Sequence, residues 1–139
     1  ARLGWRIYGG DGPDRGVRAG YDALRVALTV PEAGAELLPD ETFILEAGFE
    51  RLHGVDFRKG CYVGQEVTAR MKHKTTLRKG LVQVAVEGSA DPGTEIVAGS
   101  GKPAGKLFTQ AGGLGLAHLR FDRAGVGMRA GDAEVSYAG

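Results

Sequence analysis

The chain from Leu81 onward is built from short apolar runs separated by turn-forming residues, and this spacing restricts the fold more than any other feature. No helical period connects the runs. Short strands divided by Gly, Pro, Asp and Ser are typical of small antiparallel barrels and sandwiches. The predicted strands are Leu81–Val86, Thr94–Ala98, Ala104–Gln110, Leu114–Phe121 and Ala133–Tyr137. We therefore expect a compact antiparallel β-barrel over residues 76–139, with no helix longer than about two turns between Leu81 and Phe121.

Residues 1–75 have a different pattern, in which helical spacing alternates with turn signals. Tyr21, Leu24 and Leu28 recur on one helical face before Pro31, which predicts an amphipathic helix. The predicted elements are a strand over Trp5–Ile7, a loop over Gly9–Pro13, a helix over Gly20–Thr29 and a short helix around Glu46–Leu52. The chain is therefore predicted to have an α+β fold, with a boundary near Thr75 and Thr76.

Composition limits the class of protein. Glycine accounts for 24 of the 139 residues without a collagen-like period, which indicates many tight turns. No apolar stretch approaches the roughly 18 residues of a membrane span, and the start does not read as a signal peptide. Cys61 is the only cysteine, so an internal disulfide is excluded and a reducing compartment is expected. We predict a cytoplasmic protein, outside the membrane and secreted classes.

The net charge of +1 conceals two oppositely charged segments. Between Arg25 and Arg51 lie six acidic residues and no base, whereas between Val67 and Val86 lie five lysines or arginines and no acid. Such a run is most simply a solvated face, and an anionic small molecule or an acidic protein surface is the alternative. Nucleic acid is disfavoured because no aromatic residues are interleaved for base stacking.

Cys61 lies in the segment that carries the most chemistry. Gly60 and Gly64 bracket the thiol, and good helix formers begin after Gly64. Helix N–H groups near Cys61, with Lys59 two residues away, would favour a reactive thiolate. A buried structural cysteine is the alternative reading.

Metal ligation by this chain is not expected. Its three histidines, His53, His73 and His118, are too far apart in sequence from one another and from Cys61 to form a ligand set by spacing.

The eight residues Lys59–Glu66, which read KGCYVGQE, resemble the K-G-C-[FY]-x-G-Q-E signature of the YgfZ/Iba57 family. The members of this family are folate-binding proteins related to the glycine-cleavage T-protein. The resemblance extends over Leu24–Arg25, Glu46–Gly48 and Gly54–Phe57, and the strands after Leu77 are similar to the C-terminal barrel of the same superfamily. It implies that residues 1–75 are part of a T-protein-like α/β region and that the N-terminal half of a full-length member lies outside this chain.

The resemblance implies a tetrahydrofolate-linked accessory protein that assembles or repairs iron–sulfur clusters in target enzymes. Tetrahydrofolate or a derivative would be the cofactor, and a cluster would be bound only transiently. Carried over residue by residue, the catalytic set is Cys61, Lys59, Gln65 and Glu66, and the folate-binding set is Glu46, Arg25 and Tyr62. The implied partners are iron–sulfur client enzymes or assembly proteins and the missing N-terminal half, with no nucleic acid and no membrane.

Two departures from the family pattern concern folate. Ala27 stands where the family often has a carboxylate after Leu24–Arg25, and Leu45 stands near the place of a usual proline. Glu46 or the missing half must then supply the carboxylate that a pterin ring needs, so we expect a pocket divided between the two halves. Two other functions remain open: a folate-dependent aminomethyltransferase or demethylase-like one-carbon enzyme, and a non-catalytic binding module in which Cys61 is structural.

Overall fold

The computed structural model of the chain describes Leu3, residues 18–74 and residues 76–139. The elements in this part are α1 (Arg18–Ala27), α2 (Gln65–Lys74), β1 (Lys79–Glu87), β2 (Glu95–Val97), β3 (Pro103–Ala111), β4 (Leu114–Arg120), β5 (Met128–Ala130) and β6 (Ala133–Ser136). The predicted strand over Trp5–Ile7 and the loop over Gly9–Pro13 lie outside the described residues. Neither helix in the described part has the length and apolarity that crossing a bilayer requires.

The six strands form a closed antiparallel barrel in the order β1–β4–β3–β2–β5–β6, with β6 pairing back onto β1. The predicted barrel is therefore confirmed, and each predicted strand overlaps an observed one. No helix lies between Leu81 and Phe121, as expected. The strand β5 was missed because Met128 is its only large apolar residue, whereas β2, which is equally short, contains both Ile96 and Val97. Register shifts within β2 and β3 curve these strands around the barrel.

Side chains that alternate along the strands fill the barrel interior. In β5, for example, Met128 and Ala130 point inward while Arg129 is exposed. The buried cluster consists of Val84, Val86, Ile96, Ala104, Leu107, Ala117, Leu119, Met128, Ala130, Ala133 and Val135. These residues come from all six strands, so the core is completely buried only when the barrel is closed.

Helix α1 packs against the outside of the barrel. Val26 is fully buried and forms a second apolar cluster with Leu81 of β1 and Leu116 of β4. The Gln83 side chain donates a hydrogen bond of 2.8 Å to the carbonyl oxygen of Val26. The predicted helix over residues 20–29 is therefore present, but the predicted apolar face is wrong. Leu24 is exposed, and Val26 with Arg25 forms the buried side of α1.

Helix α1 ends in a left-handed turn at Thr29, whose φ is +53°. The Arg51 guanidinium donates hydrogen bonds to the carbonyl oxygens of Leu28 and Thr29, at 3.2 and 2.5 Å. A cation at this position satisfies orphan carbonyls and complements the negative end of the helix dipole. Arg51 thus joins the segment after residue 40 to the end of α1.

The predicted short helix around Glu46–Leu52 is wrong. The segment is a series of turns with hydrogen bonds of mixed span, including Gly48 N–H to Leu45 O and Phe49 N–H to Ile44 O. Gly48 has a φ of +79° and His53 a φ of +60°, and neither value is compatible with a continuing α-helix. The apolar residues of this segment lie on turns, and they pack against the protein from those turns rather than from one face of a helix.

The turn containing Glu46 docks onto the start of β1. The Leu81 N–H donates a hydrogen bond of 2.7 Å to the carbonyl oxygen of Glu46. A Cβ at Gly80 would lie 3.2 Å from that oxygen and 3.0 Å from the ring of Phe121, so the close approach requires glycine. The backbone of Glu46 is thereby fixed against the barrel. Within residues 18–74 the described structure consists of two helices and turns, and the T-protein-like character expected for this region stays a prediction.

Candidate functional site

The sequence KGCYVGQE folds as an exposed loop that leads into helix α2. We call residues 59–64 the signature loop. Gly64 adopts a φ of +81°, a left-handed conformation that turns the chain into α2. The Gln65 side chain accepts a hydrogen bond of 3.2 Å from the Tyr62 N–H, and the Gln65 N–H donates one of 3.3 Å to the Tyr62 carbonyl oxygen. Gln65, predicted as a catalytic residue, therefore braces the loop.

Cys61 is exposed on the signature loop. The Lys59 ammonium lies over the Tyr62 ring, 5.6 Å from its centroid, so two of the predicted site residues contact each other rather than a ligand. Glu66 is exposed in the first turn of α2, where a carboxylate complements the helix dipole. The four residues of the predicted catalytic set thus lie together on the signature loop and the first turn of α2, where the Cys61 side chain is exposed to solvent.

Helix α2 is held by the turns at residues 50–57. The Lys72 ammonium contacts both carboxylate oxygens of Glu50, at 2.7 and 2.8 Å. The same ammonium lies 5.4 Å from the Phe57 ring centroid, and His73 meets that ring edge-on at 6.2 Å. Thr68 is the buried residue of the helix. These contacts fix the direction in which the signature loop projects.

Arg25, predicted as a folate ligand, is buried in an ion-pair network instead. Its Nε contacts Asp22 at 2.8 Å, its Nη1 contacts Glu36 at 2.8 Å, and its Nη2 donates to the Thr109 hydroxyl at 2.5 Å. The side chain is 1% exposed, and that of Glu36 is 0% exposed. All three guanidinium nitrogens have a hydrogen-bond partner within the protein and the side chain is buried, so Arg25 is not exposed to a folate carboxylate.

The electrostatics of this network favour the charged forms of Arg25 and Asp22. Burial would lower the pKa of Arg25, but the carboxylates of Asp22 and Glu36 outweigh it and raise that pKa. Burial opposes ionisation of Asp22 as well, and hydrogen bonds from Arg25 and Arg18 nevertheless hold its pKa below the usual range. The network therefore joins α1 to β3 through Thr109 as a set of fixed charges.

Glu46, the second predicted folate ligand, lines a cleft between residues 38–46 and the outer face of β3 and β4. The cleft has a volume of about 450 Å³. The Glu46 carboxylate is 3.3 Å from the Lys79 ammonium and remains at the cleft wall. The lining residues are Leu38, Glu41, Thr42, Glu46, Lys79, Glu95, Pro103, Gly105, Lys106, Phe108, His118, Leu119, Arg120 and Arg123. The size suits a small molecule.

His118 of β4 is a cleft residue that sequence reasoning missed. Its Nε2 is buried and has no hydrogen-bond partner among the described residues, while its ring meets Phe108 edge-on at 5.8 Å. Burial lowers the pKa of His118, partly offset by the backbone of Glu36, so the ring is neutral at pH 7. The only sequence signal for His118 is the alternation along β4, which places its side chain on the outer face of the barrel. Lys79 has no such signal and joins the cleft only when the chain folds.

The residues predicted to bind folate fit that cofactor unequally. Glu46 offers a carboxylate in a cleft with an aromatic wall, and it fits. Arg25 is buried in its ion-pair network, and Tyr62 lies on the signature loop under Lys59. No hydrogen bond or ion pair among the described residues joins any two of these three side chains, and no three His, Cys, Asp or Glu side chains there could hold a metal ion.

Comparison with known proteins extends over most of the chain. Residues 78–138 match the family model described as "CAF17, C-terminal beta-barrel domain". The iron–sulfur cluster assembly factor IBA57, mitochondrial, of Mus musculus is 38% identical over 133 residues, covering 86% of this chain and 37% of the relative. The Homo sapiens protein of the same name is 37% identical over 131 residues, with the same coverage. The IBA57 homolog of Phaeosphaeria nodorum is 34% identical over 127 residues, covering 73% of this chain and 31% of the relative. This chain therefore spans about a third of the length of these relatives.

The predicted cytoplasmic location is contradicted, since the relatives are named as mitochondrial proteins. The prediction relied on a single cysteine, and that feature indicates a reducing compartment without distinguishing one reducing compartment from another. The barrel, the family model and the relatives agree with the signature at Lys59–Glu66. The chain belongs to the YgfZ/Iba57 family.

Proposed function

We propose that this chain is part of a mitochondrial factor for iron–sulfur cluster assembly or repair that acts through the thiol of Cys61. The observation that carries the proposal is the exposure of Cys61 on a loop braced by Gln65 and turned by Gly64. A structural cysteine would be packed among apolar side chains, whereas this thiol is open to a partner protein. The names of the relatives support a role in cluster assembly.

The chemistry proposed for Cys61 is that of a single ligand. Iron–sulfur clusters are held by several thiolates, and this chain has one cysteine. Cys61 would therefore supply one thiolate ligand to a cluster in transit, and client enzymes or assembly proteins would supply the other ligands. The cluster would be the substrate of the protein. Lys59 and Tyr62 would shape the approach to the sulfur, because their mutual contact fixes both side chains beside it.

The cofactor proposed for the full-length protein is a reduced folate. Glu46 is the residue of this chain that would receive the donor edge of the pterin, because its carboxylate lies in the cleft beside Lys79. Arg25 has no part in this proposal. The remaining contacts would come from the part of the full-length relatives that this chain does not span, so we expect weak or no folate binding by residues 1–139 alone.

The test of the thiol is rescue of cells that lack the protein, with the activity of an iron–sulfur enzyme as readout. Full-length protein carrying Cys61→Ser should fold normally and fail to rescue. Ser100→Ala, at an exposed barrel position, serves as the surface control and should rescue fully. Full rescue by Cys61→Ser would exclude the thiol mechanism.

The test of the cofactor is calorimetry with reduced folate on the full-length protein and on residues 1–139. Glu46→Gln in the full-length protein should weaken binding, whereas Glu87→Gln, at an exposed position of β1, should not. Tight binding by residues 1–139 would disprove the divided pocket. No binding by the full-length protein would disprove the folate proposal as a whole.

A further inference from the structure

The signature loop presents an apolar side chain that nothing in the described structure covers. Val63 is 103% exposed, and two apolar residues nearby in sequence are exposed as well: Val67, 54% exposed in the first half of α2, and Tyr62, 37% exposed. Large exposed apolar side chains grouped on one surface mark interaction sites more often than isolated ones do. We call Tyr62, Val63 and Val67 the apolar tip.

The conformation that exposes Val63 is fixed by specific contacts. Gly64 turns the chain directly after Val63, and the Gln65 side chain holds the Tyr62 backbone directly before it. Lys59 covers the Tyr62 ring. An exposed side chain on a braced turn loses little conformational freedom on binding, which is the property expected of an anchor residue.

The segment of sequence that carries the apolar tip is basic, and one of its bases, Lys59, contacts the tip itself. Residues 57–79 contain seven lysines or arginines and one acid, Glu66. Three of the bases are neutralised locally, Arg58 by Asp56, Lys72 by Glu50 and Lys79 by Glu46. A surface of this kind attracts negative charge and steers an acidic partner toward it.

We propose that the apolar tip is a docking surface for an acidic protein, in which Val63 enters an aliphatic pocket ringed by Asp and Glu side chains. This inference rests on the proposed function, because the docked partner would be the one that meets Cys61. An acidic protein fits both halves of the surface: it supplies a pocket for the valine and carboxylates for the surrounding bases. Nucleic acid would complement the positive charge but would provide no apolar pocket for Val63.

The barrel offers a matched control for this proposal. Val126 is 81% exposed on the loop between β4 and β5 and differs from Val63 in lying away from the basic segment. The substitutions Val63→Thr and Val126→Thr are close to isosteric, and neither removes a buried contact. Both full-length variants should therefore keep the thermal stability of the parent protein. A lower stability of Val63→Thr alone would show that another part of the full-length chain covers Val63, and it would overturn the docking surface.

The experiment is rescue of cells lacking the protein by full-length variants, scored by iron–sulfur enzyme activity. We expect Val63→Thr to lower rescue by about fivefold or more, because the threonine hydroxyl would enter an aliphatic pocket without a hydrogen-bond partner. Val63→Leu should retain rescue because it keeps an aliphatic side chain, and Val126→Thr should behave as the parent. Lys59→Glu should also lower rescue, whereas Lys102→Glu, an exposed barrel position, should not.

The outcomes separate this proposal from the proposed function. Equal rescue by Val63→Thr and Val126→Thr overturns the docking surface, and if Cys61→Ser still fails in the same cells, the thiol mechanism stands without it. Rescue by Cys61→Ser disproves the thiol mechanism itself. Sedimentation of the parent and Val63→Thr proteins tests a second copy as the occupant, and a dimer that dissociates in the variant would overturn the acidic partner.

Discussion

The Arg25 guanidinium and the Glu36 carboxylate form a 2.8 Å ion pair in which both side chains are almost completely buried. Glu36 also accepts hydrogen bonds from the Thr109 hydroxyl at 2.6 Å and from the Thr109 N–H at 3.2 Å. One carboxylate thus connects α1 to β3 across a large sequence separation. Removing one member of a buried pair is costly because the other charge stays behind without compensation.

We therefore predict that Glu36→Gln lowers the free energy of unfolding by about 3–5 kcal/mol, the range for breaking a buried ion pair. Denaturant unfolding of this variant beside Glu87→Gln measures the effect. Glu87 is exposed on β1, and its substitution should change stability by less than about 0.5 kcal/mol. Similar stabilities for the two variants would show that the pair contributes nothing.

Gly105 gives a steric prediction. A Cβ at this position would overlap the carbonyl oxygen of His118 and touch the Leu119 side chain, so β3 and β4 could not keep their spacing. We expect Gly105→Ala to destabilise the protein by about 3 kcal/mol or more, at the upper end for overpacking. Gly125→Ala is the control, because a Cβ there meets nothing within 4 Å. A Gly105→Ala variant as stable as Gly125→Ala would contradict this strand spacing.

His118 gives a prediction on pH. Its folded-state pKa lies below the ordinary histidine value of about 6.5, because burial beside Phe108 outweighs the influence of Glu46 and the Glu36 backbone, and Lys79 acts in the same direction as burial. Between the two pKa values the unfolded chain binds more protons, so the stability that neutral His118 contributes is lost as pH falls below about 6.5.

Stability measured from pH 7.5 to pH 5.5 should therefore fall more steeply in the parent protein than in His118→Gln. His73→Gln, at an exposed position, should retain the parent slope. Parallel slopes for the parent and His118→Gln would mean that the imidazole titrates normally.

Cys61 gives a prediction on reactivity. Because the thiol is exposed, iodoacetamide should modify it in the folded protein at every pH from 5 to 9, faster as the thiolate fraction rises. Cys61→Ser should leave the melting temperature unchanged, since an exposed side chain contributes within about 0.5 kcal/mol. A thiol that reacts only after the protein melts would contradict the structure of the signature loop.

The strands were predictable from the sequence because alternation along a strand is a local property. The helix over Glu46–Leu52 was not, because its apolar spacing imitates a helix while the left-handed conformation at Gly48 interrupts one. The strand β5 was missed because one large apolar residue, Met128, does not establish a period, whereas Ile96 and Val97 gave β2 an apolar run. Each of these outcomes depends on a few neighbouring residues.

The residues of the candidate site also differ in how far they could be predicted, according to whether their neighbours are close in sequence. Cys61, Lys59 and Gln65 are contiguous, so the signature identified their shared surface before any fold was known. Arg25 was assigned to folate from the family resemblance. Its burial could not be predicted, because it depends on Glu36 and on Thr109, which is 84 residues away. His118 and Glu46 meet in one cleft only when the turn docks on β1, and no sequence spacing indicates that meeting.

The closure of the barrel through the pairing of β6 with β1 has a consequence for recognition. Within residues 76–139 no strand edge remains open, so another polypeptide cannot extend this sheet by adding a strand of its own. The same closure protects the domain from fibre growth through edge pairing. Other molecules can therefore recognise the barrel through its side chains and loops, and not through backbone hydrogen bonds to a strand edge.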